Sequence, residues 1–196
     1  MEKKLSEMTL EELWKLFPIV LTERRACWSE WYAEEEAFLK NKLPQIERIS
    51  HIGSTAIGSI RTKPIVDLLV EVAPNRRLAD YKGSIVECGY ICMSETASRI
   101  SFNKGYMEKG FAEKVFHLHL RHGGDNDELY FRDYLMEHAD TAREYEKLKL
   151  SLWKQYEHNR DGYTSAKTDF VQMYTEKAKL EYGNRYQIAA FQNGGR

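Results

Sequence analysis

The sequence predicts an α+β protein in which a central mixed sheet is preceded and followed by helices. Segments typical of strands, rich in β-branched residues and alternating in polarity, cluster in the middle third of the 196 residues, whereas helical periodicity dominates the first and last thirds. The composition, 42% hydrophobic and 30% charged, is that of an ordinary globular chain with enough apolar residues for one core. We therefore expect a single domain.

The first third is predicted to hold two helices and one short edge strand. Thr9 and Glu12 have the spacing of a capping box, which indicates the start of a short helix. The apolar run over residues 17–21 contains a proline, which suits an edge strand. A second helix is predicted over residues 27–43, and Pro44 is expected to end it.

The middle and last thirds supply the sheet and the C-terminal helical segment. Strands are predicted at residues 46–52, 65–72, 91–93, 98–104 and 112–121, with a helix over residues 78–89. Three further helices are predicted over residues 128–138, 141–157 and 163–182. Within the single domain, residues 1–122 would form the α/β core with its N-terminal helices, residues 123–182 a helical segment packed on it, and residues 183–196 a flexible tail.

The balance of charge restricts the classes of partner. Lys and Arg number 29 and Asp and Glu number 30, so the chain has no general basic field for binding nucleic acid, and a phosphate ligand would need a local basic cluster. No apolar run approaches the roughly 20 residues that span a bilayer, so no membrane partner is expected. We expect a cytoplasmic protein whose three cysteines are reduced thiols.

A Gly-Ser-Thr turn after the first predicted strand of the sheet is a candidate phosphate site. Gly53 permits a sharp turn and close approach of a ligand. Ser54 and Thr55 then offer hydroxyls and free backbone N–H groups, which bind phosphate oxygens at such turns. Lys63, just before the next strand, is placed to neutralise a phosphate. The alternative is an ordinary turn, because short motifs of this kind recur without a ligand.

Asp67 interrupts the otherwise apolar strand at residues 65–72. Burying a carboxylate there is costly unless it is paired or bound to a metal. Strand alternation places Asp67, Leu69 and Glu71 on one face of the sheet. The alternative is that Asp67 caps a nearby loop or pairs with an arginine.

Two histidines alternate with apolar residues on the last predicted strand. His117, His119 and Arg121 face one side, and two histidines at this spacing are half of a site for a metal softer than Mg²⁺. If this strand neighbours the strand that carries Asp67 and Glu71, the four residues share one surface, which suits a divalent ion or acid/base chemistry beside a phosphate. The alternative is that both histidines only form hydrogen bonds in a polar cleft.

Basic residues outside these strands offer further phosphate contacts. Residues 99–114 interleave lysine and arginine, Lys104 among them, with aromatic side chains, a pattern that meets phosphate and base together. The same pattern also protects the edge of a hairpin from pairing with another chain. Arg160 and Lys167 are predicted to close over the cleft from the C-terminal helices, with a packing role as the alternative.

Five segments, in this order, resemble the GrpB-like family of the nucleotidyltransferase superfamily typified by DNA polymerase β. They are residues 51–56 (HIGSTA), 63–72 (KPIVDLLVEV), 116–121 (FHLHLR), 131–135 (FRDYL) and 163–170 (YTSAKTDF). The resemblance implies a nucleotidyltransferase-like sheet, a nucleoside triphosphate on the Gly-Ser turn, and Mg²⁺ or Mn²⁺ ions on an Asp-x-Asp pair of carboxylates and a third acid.

The resemblance fails at one position of that pair. Asp67 matches the first acid, but Leu69 stands where the second is expected. Glu71 lies two residues further, about 6.5–7 Å along the strand, whereas the paired metal ions are only about 3.5–4 Å apart. Glu71 would therefore not reproduce a carboxylate pair that bridges two metals.

Together these observations predict a protein that binds a nucleotide or another phosphorylated small molecule, with nucleotidyl transfer to a small acceptor if catalysis is retained. One alternative is a non-catalytic binding or regulatory module that has lost the second acid; another is a different metal-dependent phosphate enzyme built on Asp67 and the histidines. The candidate catalytic residues are Asp67, Glu71 and His119; the candidate phosphate-binding residues are Gly53, Ser54, Thr55, Lys63, Lys104 and Arg121; the candidate metal ligands are Asp67, Glu71, His117 and His119.

Overall fold

A five-stranded mixed sheet organises the computed structural model, which describes residues 3–43 and 45–187. The strands are β1 (Ile46–Ile52), β2 (Val66–Val72), β3 (Ile91–Glu95), β4 (Arg99–Met107) and β5 (Gly110–His122), in the spatial order β1-β2-β5-β4-β3. Strands β2 and β5 run parallel, and the other neighbouring pairs are antiparallel.

Helices flank the sheet on both sides, which confirms the predicted α+β class and its C-terminal helical segment. They are α1 (Leu10–Leu16), α2 (Cys27–Lys42), α3 (Ala79–Glu87), α4 (Asp127–Glu137), α5 (Ala139–Gln155), α6 (Arg160–Ser165) and α7 (Thr168–Tyr182). Thr9 caps α1 in the predicted capping box with Glu12. Across residues 3–43 and 45–187, no helix combines the length and apolar character needed to cross a bilayer.

The predicted edge strand at residues 17–21 is wrong. This part of the chain contacts α5 and the loop after it, where both backbone groups of Ile19 are satisfied: its N–H donates to the carbonyl of Glu157 at 2.8 Å, and Trp153 Nε1 donates to its carbonyl at 2.5 Å. The nearest strand-like pairing is a single antiparallel bridge between Thr22 and Thr62.

The predicted helix over residues 163–182 is two helices, α6 and α7. The side chain of Asn159 accepts a hydrogen bond from the N–H of Gly162 at 2.8 Å, so α6 begins at Arg160, earlier than the apolar pattern indicates. The chain turns after Ser165, which leaves Lys167 between the two helices rather than inside one. This break brings Lys167 to the site described below.

The start of the predicted flexible tail is anchored to α4. Tyr130 Oη donates to the carbonyl of Gly183 at 2.9 Å, and Arg132 Nη2 donates to Tyr186 Oη at 3.0 Å. These contacts hold residues 183–187 against the helix. The remainder of that tail, residues 188–196, and Pro44, predicted to end α2, lie outside the described residues.

Alternation along β2 and β5 sorts their side chains onto two faces, as the sequence predicts. One face packs against α2 and α3 and forms the main core, to which the two strands contribute Val66, Leu68, Val70, Val72, Phe116, Leu118 and Leu120. On the other face the parallel register places Asp67 beside His117, Leu69 beside His119, and Glu71 beside Arg121. Helix α4 covers part of this polar face.

Leu69 is a packing residue between the sheet and α4. Its side chain is fully buried and contacts Ile52 of β1 and Leu129 of α4, with Tyr186 packed against the cluster. A carboxylate at this position would lose these apolar contacts and would need a buried partner. The position of the expected second acid is therefore built for apolar contact.

Glu71 is held in a buried hydrogen-bond network at the far end of β2. Its side chain is fully buried and accepts hydrogen bonds from Arg48 Nε at 2.5 Å, Asn126 Nδ2 at 3.0 Å and the N–H of Gly124 at 3.3 Å. The network connects β1, β2 and the loop that follows β5. Because all three hydrogen bonds need the carboxylate as acceptor, Glu71 has a structural role: it fastens the loop after β5 to the sheet.

Glu71→Ala is expected to destabilise the fold by about 3 kcal/mol, because it leaves the Arg48 guanidinium without its carboxylate and removes one of the two acceptors of the Asn126 amide. Urea denaturation followed by circular dichroism measures the change in the free energy of unfolding. The matched control is Glu47→Ala, an exposed position on β1, which should change it by less than about 0.5 kcal/mol. Equal effects of the two substitutions would contradict a structural role for Glu71.

Candidate functional site

A cavity of about 760 Å³ lies between the polar face of the sheet and helices α4 to α7. This volume is within the range of small-molecule sites. Seven residues singled out from the sequence line it: Gly53, Ser54, Lys63, Asp67, His117, His119 and Lys167. The Gly-Ser turn and the histidine strand, separate in sequence, therefore meet at one cavity.

Gly53 is required at the turn because of Asp67. Its φ is +70°, and a Cβ at this position would lie 2.3 Å from Asp67 Oδ2. The chain then presents Ser54 and Thr55, whose backbone N–H groups donate to no acceptor within the described residues. Free N–H groups at a turn are the donors that phosphate oxygens use.

Thr55 contributes its backbone to the turn, but its hydroxyl is already engaged. The side chain is buried, donates to the carbonyl of Ile65 at 3.1 Å, and contacts His51 Nε2 at 3.0 Å. Burial lowers the pKa of His51 to about 4, so its imidazole is neutral and donates to the hydroxyl. The predicted phosphate contact of the Thr55 side chain is thus replaced by a structural one.

Three lysines converge on this turn from different elements. Lys63 precedes β2, Lys149 lies on α5, and Lys167 separates α6 from α7. Lys149 is almost completely buried and donates to Ser54 Oγ at 3.2 Å. The ammonium groups of Lys167 and Lys63 lie 4.1 Å and 5.8 Å from the ring centre of Tyr163.

The positive charge of these lysines is not fully compensated by neighbouring acidic groups. Burial lowers the pKa of Lys149 and of Lys167 to about 7, and that of Lys63 to about 8. Repulsion from the neighbouring cations adds to the effect, and among the charges acting on Lys63 and Lys167 only Asp67 opposes it. A site of this kind gains energy when an anion enters, because charged lysines then acquire a partner.

Asp67 is the carboxylate at this end of the cavity, and two histidines point at it. Its Oδ1 lies 3.2 Å from His117 Nδ1 and 4.0 Å from His119 Nε2. Burial acts to raise the pKa of Asp67, but the close contact with His117 and the nearby His119 ring outweigh it and hold the pKa below its usual value. Asp67 is therefore ionised at neutral pH.

A chain of hydrogen bonds extends from Asp67 to α6. His117 Nε2 contacts Tyr106 Oη at 2.8 Å, and Arg160 Nη1 donates to the same oxygen at 2.7 Å. Because a guanidinium only donates, the Tyr106 proton is free to point at His117 Nε2. Burial lowers the pKa of His117, so the neutral ring carries its proton on Nδ1, facing Asp67.

Besides Thr55, three predicted site residues lie away from the cavity lining. Glu71 is enclosed in the network described above. Lys104 shares the register position of Phe116, which directs it to the core face, where it contacts Glu35 at 2.8 Å. Arg121 donates to Glu128 at 2.9 Å and is buried. Each has a protein partner that satisfies its charge, so we exclude all three from the phosphate and metal site.

Lys149 is the site residue that the sequence reasoning missed. It lies on the buried stripe of α5 together with Ala142 and Tyr145. Burying a lysine on an otherwise apolar helical stripe costs free energy unless the ammonium has a partner. This departure from the apolar pattern of α5 is the feature of the sequence that indicates a functional role for Lys149.

The residues present do not fit the paired Mg²⁺ or Mn²⁺ ions that the resemblance implies. Within the described ranges, no group of three or more His, Cys, Asp or Glu residues has a geometry that could hold a metal ion. Asp67 Oδ1 already contacts His117, Leu69 is apolar, and the Glu71 carboxylate is enclosed by its own hydrogen-bond partners. Two hard cations in this chemistry need several oxygen ligands, which the residues around Asp67 do not supply.

Comparison with known proteins identifies one family. The family model described as "GrpB protein" matches residues 18–177. The UPF0157 protein YqkA of Bacillus subtilis is 32% identical over 156 residues, which cover 78% of this chain but only 45% of YqkA. The glutamate-rich protein GrpB of Alkalihalophilus pseudofirmus is 29% identical over 161 residues, which cover 78% of this chain and 91% of that protein.

One solved structure agrees with the family match. The crystal structure of the conserved protein GrpB from Enterococcus faecalis has a TM-score of 0.71 and 28% identity, over 83% of this chain and 99% of that one. The structure of Cid1, a poly(U) polymerase, matches with a TM-score of 0.46 and 13% identity, over 72% of this chain and 43% of Cid1. The first match confirms the fold predicted from the GrpB-like resemblance.

Gly53→Ala is expected to lower the free energy of unfolding by about 2 kcal/mol or more, because the added Cβ is strained at positive φ and displaces the Asp67 carboxylate. Gly83→Ala is the control: it lies in α3 with open space around the added Cβ, and should stabilise the protein by about 0.5–1 kcal/mol. Urea denaturation measures both. A neutral Gly53→Ala would contradict the close approach of turn and carboxylate.

Lys167→Met is expected to stabilise the ligand-free protein at pH 7. The lysine has a pKa of 10.5 when unfolded and about 7 in the fold. Between these values the unfolded chain binds more protons, so wild-type stability rises with pH, and the cost of the charged lysine is greatest at pH 7 and below. We expect a gain of about 1–2 kcal/mol at pH 7 that shrinks toward pH 10.

Urea denaturation between pH 6 and pH 10 measures this difference. Lys147→Met, at an exposed position of α5, is the control and should change stability by less than about 0.5 kcal/mol at every pH. A Lys167→Met variant that is less stable than the wild type at pH 7 would show that the ammonium already has a sufficient partner.

Proposed function

This chain belongs to the GrpB family, and on that premise we propose that it binds a nucleotide or another phosphorylated small molecule in the cavity between the sheet and helices α4 to α7. The observation that carries the proposal is the convergence of Lys63, Lys149 and Lys167 on a turn with free N–H groups, where Asp67 is the carboxylate that opposes the charge of Lys63 and Lys167.

The phosphate occupies the space in front of the Gly-Ser turn. It receives hydrogen bonds from the N–H groups of Ser54 and Thr55, and its charge is met by Lys63 and Lys167, which line the cavity. Lys149 lies behind Ser54 and orients its hydroxyl. Binding supplies the negative charge that the lysines lack, so it is accompanied by proton uptake near their lowered pKa values.

The geometry favours binding without two-metal nucleotidyl transfer. Leu69 and Glu71 are both committed to structural contacts, so Asp67 has no second carboxylate with which to bridge two metal ions. Of the alternatives raised by the sequence, the non-catalytic binding or regulatory module is thus the better supported.

A single-metal phosphate enzyme built on Asp67 and the histidines is less compatible with the same contacts. Both ring nitrogens of His117 already have partners, Asp67 on Nδ1 and Tyr106 on Nε2. Metal ligation by His117 would have to break one of these bonds.

We also retain the predicted cytoplasmic location, with Cys27, Cys88 and Cys92 as free thiols.

Thermal unfolding with inorganic tripolyphosphate, ADP and ATP in the presence of EDTA tests the proposal. At about 100 times the dissociation constant, a ligand stabilises the fold by about 2.7 kcal/mol, which corresponds to a rise in Tm of about 5–10 °C for a chain of this size. The shift should be largely lost in Lys167→Met and retained in the control Lys147→Met.

Two outcomes would contradict the proposal. Absence of any shift with all three probes would count against a phosphate site. A shift that requires Mg²⁺ or Mn²⁺ and is accompanied by release of pyrophosphate from ATP would instead establish metal-dependent transfer.

A further inference from the structure

The carboxylate of Asp67 is placed beside the proposed phosphate site, where an anion is unexpected. Asp67 Oδ2 approaches Gly53 so closely that a Cβ there would lie 2.3 Å from it, and Ser54 is the next residue of the same turn. A phosphate on the turn therefore has the carboxylate as a neighbour in the same cavity. Two neighbouring anions repel each other unless a hydrogen-bond donor lies between or beside them.

The protein keeps Asp67 anionic and fixed in orientation. Each donor along the chain from Arg160 through Tyr106 and His117 points toward the carboxylate, which can only accept. The turn restrains the other oxygen from the Gly53 side. Such an arrangement prepares a hydrogen-bond acceptor of defined direction at the end of the cavity that also holds Lys63 and Lys167.

We infer that the ligand is a phosphate ester with a free hydroxyl close to its phosphate group, and that Asp67 accepts a hydrogen bond from this hydroxyl. The inference rests on the proposed function, and it adds the chemical class of the ligand. A hydroxyl fits better than an ammonium group, because Lys63 and Lys167 also face this part of the cavity and would repel a cation. Tyr106 and His117 are positioning residues in this arrangement.

Two pairs of probes that differ only in their hydroxyls test the inference on the full chain. They are sn-glycerol 3-phosphate against n-propyl phosphate, and adenosine 5′-monophosphate against its 2′,3′-dideoxy analogue. Isothermal titration calorimetry at pH 7.5 in EDTA measures the affinities. We expect the wild type to bind the hydroxylated member about tenfold to a hundredfold more tightly, as is typical of a hydrogen bond to a charged group.

Asp67→Asn should reverse part of this pattern. The preference for the hydroxylated probe should fall below about threefold, because a neutral amide is a weaker acceptor. The n-propyl phosphate should bind more tightly than to the wild type, because a repulsive charge has been removed. A substitution that only perturbed the fold would weaken the binding of both probes. The Tm of the variant is therefore compared with that of the wild type.

Tyr106→Phe separates positioning from simple structural support. It removes the hydroxyl between Arg160 and His117, so the preference for the hydroxylated probe should decrease by a larger factor than any change in the affinity for n-propyl phosphate. The matched control is Tyr81→Phe on α3, across the sheet from the cavity, which should alter neither quantity.

The outcomes distinguish this inference from the proposed function. If none of the four probes binds, the proposed function fails and the inference with it. If both members of each pair bind the wild type equally, the phosphate site stands and the inference is overturned. It is also overturned if phosphoethanolamine binds more tightly than glycerol phosphate, or if the preference appears only with Mg²⁺ or Mn²⁺ present.

Discussion

The parallel pairing of β2 with β5 is the constraint on which the site depends. It fixes Asp67 beside His117 and directs both to the same face, while Val66 and Phe116 one residue earlier face the core. The antiparallel pairing of β1 with β2 brings Ile52 opposite Asp67, so the Gly-Ser turn begins directly beside the carboxylate. The cavity therefore has its polar groups at the positions that strand register imposes, and a shift by one residue would exchange core and site.

The alternation of side chains along a strand can be predicted from the sequence, but contacts between elements that are distant in the chain cannot. Alternation along residues 66–72 and 116–121 was enough to place Asp67 and the histidines on a common face. The same alternation also grouped Glu71 with them, because it cannot show that the loop after β5 closes over the far end of the strand. Lys149 and Tyr106 acquire their roles only through the packing of α5 and α6 on the sheet.

The lysines at the cavity lower the stability of the fold that holds them. Lys149 occupies a buried helical position that an apolar residue would fill at lower cost, and Lys167 lies where α6 and α7 separate. The hydrogen bond from Lys149 to Ser54 offsets part of this cost in the ligand-free protein. Under the proposed function, an entering anion would offset the remainder, so ligand affinity and fold stability would depend on the same side chains.

The packing around Leu69 limits how easily mutation could create a second carboxylate beside Asp67. The leucine contacts Leu129 of α4, and Tyr186 closes the same cluster through its bond to Arg132. An aspartate at position 69 would need simultaneous changes on α4 and in the segment after α7 to avoid a buried, unpaired charge. A mutational route to a carboxylate pair at positions 67 and 69 thus passes through unstable intermediates.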